Sequence, residues 1–454
     1  MYSSYSSLQQ SQLAAQGYYD TQSTYLLVYA PGRNTALRAT LADQLHRKFR
    51  LADTLGSALT EGVDGVLLVS EDVECMSTAL MCFAKALQDG ADYAVCNAVF
   101  GFGGATALYQ SRAHLAQNRC ALVSRPLLER CRAAAKDPEN VTELLALAAQ
   151  FCAHPARIPQ ALLHYERDIC AEDAFSATGK RAFLMSHVLD MTGAPIVLVS
   201  AVPVLRSMGY EVVVLGPSDG GALQLFVDAG AAVITRPGIR ATPNLWGLAL
   251  CTDLVLVNTV VMARTVRALS GTAVPVLWWL HDAFAGYPHI AHQIPTKLAE
   301  NVRLYSVGHH AANAMHAVRP DFQIGQLIYG LPDYAAEDFP RCDLGYPADK
   351  PLFATVGSFE RRKGHDIFCA AIRLLPEEVR NKATFLFVGM AADKEMMDAV
   401  RSLTTDCPEN VFYCKRLSRD EIKNLMEQCT CLVCASRDDP MPTFVTEGLI
   451  FGKP

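Results

Sequence analysis

Short runs that are apolar throughout alternate with amphipathic stretches along most of this chain, and that alternation sets the fold class. In the C-terminal region the runs are Pro351–Ser358, Thr384–Val388, Val411–Tyr413 and Cys431–Cys434. Apolar runs without a period of two suit strands of a parallel sheet covered on both faces. Ile367–Leu375 reads as a helix between two of them. Pro442-Thr443 offers another helix start, with Gly452 as its stop. Upstream, strands are predicted at Arg181–His187, Glu211–Leu215, Ala232–Thr235, Asp253–Val257, Pro275–Leu280 and Val302–Gly308, with helices at Ile196–Met208, Leu223–Ala229 and His310–Val318. Strands and helices in strict alternation mean doubly wound, parallel α/β sheets. Closer to the N-terminus, strands at Tyr25–Ala30, Gly65–Val69 and Tyr93–Val99 are separated by a helical stretch running through Leu59 and a helix at Met76–Leu87; Leu144–Phe151 is helical as well. The predicted organisation is a tail over 1–24, an α/β region over 25–170, a second over 180–335 and a third over 350–454. A linker lies around Asp168 to Gly179 and a crossover at Tyr329–Pro332.

Composition narrows the picture. A chain of 454 residues can bury two or three cores. A net charge of −6 gives no nucleic-acid footprint. The 15 cysteines lack paired C-x2-C spacings, and Cys75, Cys82, Cys96, Cys251 and Cys434 sit within apolar runs. Reduced, buried thiols of a cytoplasmic protein fit this better than a disulfide framework. The cluster Cys429/Cys431/Cys434 reads as core strand rather than metal site, since no histidine or second cysteine pair is near. Residues 1–23, rich in Ser, Gln and Tyr, lack the basic start and apolar middle of a signal peptide and read as disordered. The longest apolar run, Ala194–Leu205, is shorter than a membrane span and is broken by Ser200 and Pro203. A soluble protein is expected, with room for peripheral contact at the inner membrane face.

Candidate chemistry collects at strand ends, where α/β sheets bind ligands. Ser70-Glu71-Asp72 follows one strand; its carboxylates suit either Mg²⁺ or Mn²⁺ against a diphosphate or a solvated strand end. Thr192-Gly193-Ala194-Pro195 reads as a tight glycine turn after the strand ending in His187, and a G-x-G-x-x-G dinucleotide fingerprint is missing. Two further strands end at Asn258 and at His281-Asp282. In Ser358-Phe359-Glu360-Arg361-Arg362-Lys363-Gly364 three successive cations precede a helix, which makes a phosphate cradle that needs no metal. Asp439 in a loop and Glu447 on the following helix are spaced to hold sugar hydroxyls beside a phosphate at the Thr443 helix start.

Four motifs in this order, S-H-x-L-x-x-T-G-A-P, W-W-L-H-D, the Lys363 loop and Asp439-x7-Glu447, resemble family 4 retaining glycosyltransferases of GT-B fold over about Ala182 to Pro454. The resemblance implies two Rossmann-like domains, a metal-independent and cofactor-free reaction, a nucleotide-sugar donor and a glycan or lipid-linked acceptor, as in polysaccharide biosynthesis. It implies His281 beside the donor sugar, Asp439 on the sugar, Lys363 on the diphosphate, Glu447 on the ribose and the nucleotide base near Gly389 and Leu417. Gly193 and Thr443 would line the donor. Ser358 stands where the family has arginine, so Arg361 or Arg362 would substitute. Residues 25–170, through the strand ending S-E-D and R-I-P-Q-A-L-L-H-Y-E-R, resemble a shortened, degenerate family 2 domain of GT-A type. Family members continue beyond the equivalent of Pro454, so a truncated last domain is expected. Two other readings stay open: an inactive sugar-nucleotide or glycan-binding pseudoenzyme, and a GT-B sugar-nucleotide epimerase.

Overall fold

The computed structural model describes residues 18–32, 34–56, 58–59, 62–101, 106–109, 111–176, 179–239, 246–346, 349–415 and 417–454. The chain divides into two compact units. One holds 1–191, 201–256 and 272–275; the other holds 192–200, 257–271 and 276–454.

In the first unit the strands run in the order Lys180–Met185, Tyr210–Gly216, Ala232–Thr235, Thr106–Tyr109, Tyr93–Phe100, Cys120–Ser124, Gly65–Val69, Leu26–Tyr29, Phe49–Ala52. The strands of the 180–335 region pair in parallel with each other, and Ala232–Thr235 pairs antiparallel with Thr106–Tyr109. One sheet therefore passes from the first α/β region into the second. Leu26–Tyr29, Gly65–Val69 and Tyr93–Phe100 are buried along their whole length, as their unbroken apolar runs require. Leu27, Val66, Leu68, Tyr93 and Val123 pack against Leu144, Leu145 and Ala148 of the helix Val141–Phe151.

Several expectations for this unit need correcting. The helix after Pro31-Gly32 covers only Thr35–Leu41, and Phe49–Ala52 is a strand parallel to Leu26–Tyr29. Buried Gln44 ends the helix by donating to Met76 O at 2.8 Å and accepting from Leu80 N at 3.0 Å. The linker contains a helical turn, Ala171–Ala174, with Asp173 buried. The expected tail lies outside the described residues up to 17; from Tyr18 the chain forms a 3-10 turn whose Thr21 is buried 3.3 Å from His46 Nδ1. The glycine turn at 192–195 is the first turn of a helix, Gly193–Ser207, that contains Pro203. Cys75, Cys82 and Cys96 are buried, whereas Cys251 and Cys434 are exposed.

The second unit is parallel throughout its two sheets. Val276–Leu280, Val302–Ser306 and Ile324–Gln326 are successive neighbours in one of them; Val411–Cys414, Thr384–Val388, Leu352–Val356 and Cys431–Leu432 make up the whole of the other, in that order. Thr384–Val388 is central and wholly buried. Phe368 and Cys369 of the helix His365–Leu374 cover one face with Met396 and Val400, and Leu425 and Cys429 cover the other. Each aromatic so buried contributes about 2–3 kcal/mol. The helix Arg419–Gln428 begins with a reciprocal cap between Ser418 and Glu421. Among the described residues no helix is long and apolar enough to cross a membrane.

Candidate active site

Every residue predicted for the donor site falls in the second unit, and some of them are in direct contact. The turn Arg361–Lys363 follows the strand Leu352–Val356, and Gly364 hands it over to the helix His365–Leu374. Lys363 Nζ pairs with the Asp439 carboxylate, with side chains only 16% and 8% exposed. At that burial neither charge is screened, and each is the other's main compensation for leaving water. Arg437 N and Asp438 N donate to Arg362 O at 2.7 and 3.3 Å, so the 436–440 turn lies directly on the cation turn. Arg437 reinforces it with two 2.7 Å bonds to Asp366.

Glu360, which the sequence reading passed over, organises the rest of the cradle. It accepts from Ser358 Oγ and from Arg362 Nε at 2.7 Å. Burial works against its ionisation, but the Ser358 hydroxyl and Arg362 outweigh it and hold the carboxyl below its ordinary range. Of the two arginines proposed to replace the missing one, Arg362 is thus fixed in the loop. Arg361 is 68% exposed, 3.9 Å from Glu395. His365 behind them is buried against Phe359, ring centroids 4.7 Å apart, and burial pushes its imidazole down to about 4, so it stays neutral.

Thr443 opens the helix Thr443–Ile450. A Cβ built on Gly193 would lie 3.8 Å from Thr443 Cγ2, so the two predicted donor-lining positions face each other. Glu447 is buried and already holds Arg419 at 2.6 Å, whose guanidinium stacks 4.4 Å over the Tyr334 ring. Arg419 and Tyr334 were missed because nothing local ties them to a helix beginning at Thr443.

His281 follows the strand Val276–Leu280, its ring 4.6 Å from that of Trp279. The loop just beyond it reaches the 436–440 turn: Phe284 N and Ala285 N donate to Asp438 at 3.2 and 2.8 Å. His281 and the Lys363–Asp439 pair therefore border linked loops. Neighbouring Thr259 carries φ +71° and ψ 160°, a combination costly for a β-branched residue. Its amide donates to Trp279 O and its carbonyl accepts from Trp278 Nε1, both at 2.8 Å, which holds the conformation.

Asp282 accepts from Val260 N at 2.6 Å, yet burial dominates and pushes its carboxyl from 3.8 up to about 6. The folded state then keeps this proton more tightly than the unfolded chain does. Stability should fall as pH rises from about 4 to about 6, by about 3 kcal/mol at most, and level off above. Denaturant melts across that range check this, and Asp282→Asn, whose amide oxygen can still accept from Val260, should flatten the slope.

The other acidic strand end is engaged in structural contacts. Asp72 caps the helix Thr35–Leu41, accepting from Ala36 N and Leu37 N at 3.1 Å each. Glu71 pairs with Arg167 at 2.6 Å, which also grips buried Asp173. Both carboxylates thus have protein partners where a metal–diphosphate reading needs them open.

Residues 178–316 match the family model described as glycosyl-transferase family 4, and residues 338–454 match that of glycosyl transferases group 1. These are the stretches in which the four motifs lie; neither match reaches residues 25–170. No curated protein matches the sequence. Among solved structures, HepE of Anabaena in complex with UDP and glucose is similar at 17% identity and TM-score 0.49, over 61% of this chain and 79% of that one. Sucrose-phosphate synthase from Thermosynechococcus elongatus is similar at 15% and 0.47, over 61% and 80%. WaaG, a glycosyltransferase involved in lipopolysaccharide biosynthesis, is similar at 16% and 0.46, over 60% and 80%.

Proposed function

We propose that this chain, a glycosyltransferase by its successive family 4 and group 1 segments, transfers a hexose from a nucleotide-diphosphate sugar to a glycan or lipid-linked acceptor, with retention at the anomeric carbon and without a metal. The observation that carries this is the buried Lys363–Asp439 pair on linked turns, between a cation cradle and the Thr443 helix start. When the glycosidic bond breaks, negative charge builds on the leaving diphosphate. Lys363, Arg362 and the free amides at Thr443 would meet it where it forms, and such preorganised charge does much of the catalytic work. Asp439 would hold the sugar, Glu447 the ribose, and His281 would position the anomeric carbon. With the diphosphate neutralised by side chains, no bound ion is needed. A cytoplasmic enzyme working at the inner face of the membrane suits an acceptor carried on lipid.

The test is a panel of UDP-, GDP-, ADP- and CDP-sugars, with and without EDTA, read as nucleoside diphosphate release. One donor should be turned over, equally in the presence of chelator. Release from no donor, or loss of activity on chelation that added metal restores, would reject the reading or its metal-free part respectively.

A further inference from the structure

Asp438 has no assigned role, yet in the 436–440 turn it bonds in two directions. Its amide reaches back to Arg362 O. Its carboxylate reaches the other way: one oxygen accepts from Phe284 N at 3.2 Å and from His310 Nε2 at 2.7 Å, the other from Ala285 N at 2.8 Å. The side chain is 16% exposed. Burial opposes its ionisation, but His310 and the two amides outweigh this and keep the carboxyl below its ordinary range. The Phe284 ring stands edge-on to His310 at 5.2 Å, fixing the imidazole between the two loops. Further along, Tyr329 OH donates to Met441 O at 3.0 Å. The turn that carries Asp439 is thus held on one side to the cations and on the other to the loop after His281.

We propose that Asp438 is a positioning residue of the donor site, resting on the glycosyltransferase reading above: it docks the turn bearing Asp439 onto the His281–Ala285 loop and so sets the sugar-gripping carboxylate against the histidine. Nucleotide binding uses Lys363, Arg362 and Glu447, which Asp438 does not hold by its carboxylate. Its removal should therefore leave nucleotide affinity and cost turnover. A misplacement of about 1 Å at a reacting centre is enough to cost about a hundredfold, and a turn still held by Arg362 O and Tyr329 should lose less, about thirtyfold.

The experiment compares wild type, Asp438→Ala, His310→Ala and the double variant in the full chain. Calorimetry with UDP, GDP, ADP and CDP gives affinity, and diphosphate release from the donor that wild type uses gives turnover. Asp438→Ala is expected to lose about thirtyfold in kcat with diphosphate Kd within about threefold. The double variant should be no worse than Asp438→Ala alone, because the two side chains act as one unit. Turnover within about threefold of wild type overturns the proposal, as does affinity that falls in step with turnover. Should Asp438→Ala fail to fold, His310→Ala keeps the carboxylate and both amide bonds: a loss of about fivefold in kcat alone supports the proposal, and no loss overturns it. A wild type that neither binds a diphosphate nor turns over a donor overturns the glycosyltransferase reading itself, a result distinct from active variants.

Discussion

Lys363→Ala should abolish measurable sugar transfer, lowering turnover by about 100- to 1,000-fold, the scale on which one preorganised charge at a developing anion acts. The same substitution strips Asp439 of its partner at a site where both side chains are largely buried. An uncompensated buried carboxylate costs about 3 kcal/mol, so the melting temperature should drop as well. Fold and chemistry separate in the double variant Lys363→Ala/Asp439→Asn. Neutralising the stranded acid should recover part of the lost stability and none of the turnover. Diphosphate release assayed well below the melting temperature, beside thermal melts of wild type and both variants, checks both halves. Activity that survives in Lys363→Ala removes this lysine from the mechanism, whatever the melts show.

How far the sequence could be read depends on whether a feature is local. Thr384–Val388 and Ala232–Thr235 were legible to the residue, because a run buried on both faces needs nothing but apolar side chains. The Thr443 start and the Gly452 stop were legible for the same reason, being properties of a few consecutive residues. Phe49–Ala52 was not: F-R-L-A follows a helix-favouring stretch and carries an arginine, and it is a strand because it pairs with Leu26–Tyr29 across the intervening helix. The site divides along the same line. Lys363, Asp439 and Glu447 stand in motifs with fixed spacing, so their neighbourhood could be anticipated. Their partners could not, since Arg419 lies 28 residues from Glu447 and His310 lies 128 from Asp438. Glu360 is the instructive omission. A single acid beside three cations was visible in the loop, and its bonds to Ser358 and Arg362 hold those two side chains together.

Gly364→Ala should badly damage the fold around this unit's site. Gly364 sits at φ +71° and ψ 28°, the left-handed region, between the cation turn and the helix it feeds. Left-handed backbone costs alanine about 1 kcal/mol by itself. The larger penalty is steric: the new methyl would be driven into the Ala435 carbonyl group, which is backbone and cannot turn aside. Relief requires the 431–435 segment to move away, and with it the turn whose Arg437 N is bonded to Arg362 O at 2.7 Å. The cations and Asp439 would part together, so stability should fall by about 4 kcal/mol and diphosphate affinity should be lost along with turnover. Gly452→Ala is the control. It shares a left-handed φ of +66° but has nothing within 4 Å of the added methyl, so only the backbone cost of about 1 kcal/mol should appear. Chemical denaturation of the two variants, with calorimetry against nucleoside diphosphates, measures the difference. If the two glycines prove equally tolerant, the close approach of the cation turn to the Asp439 turn is wrong, and the geometry of the donor site with it.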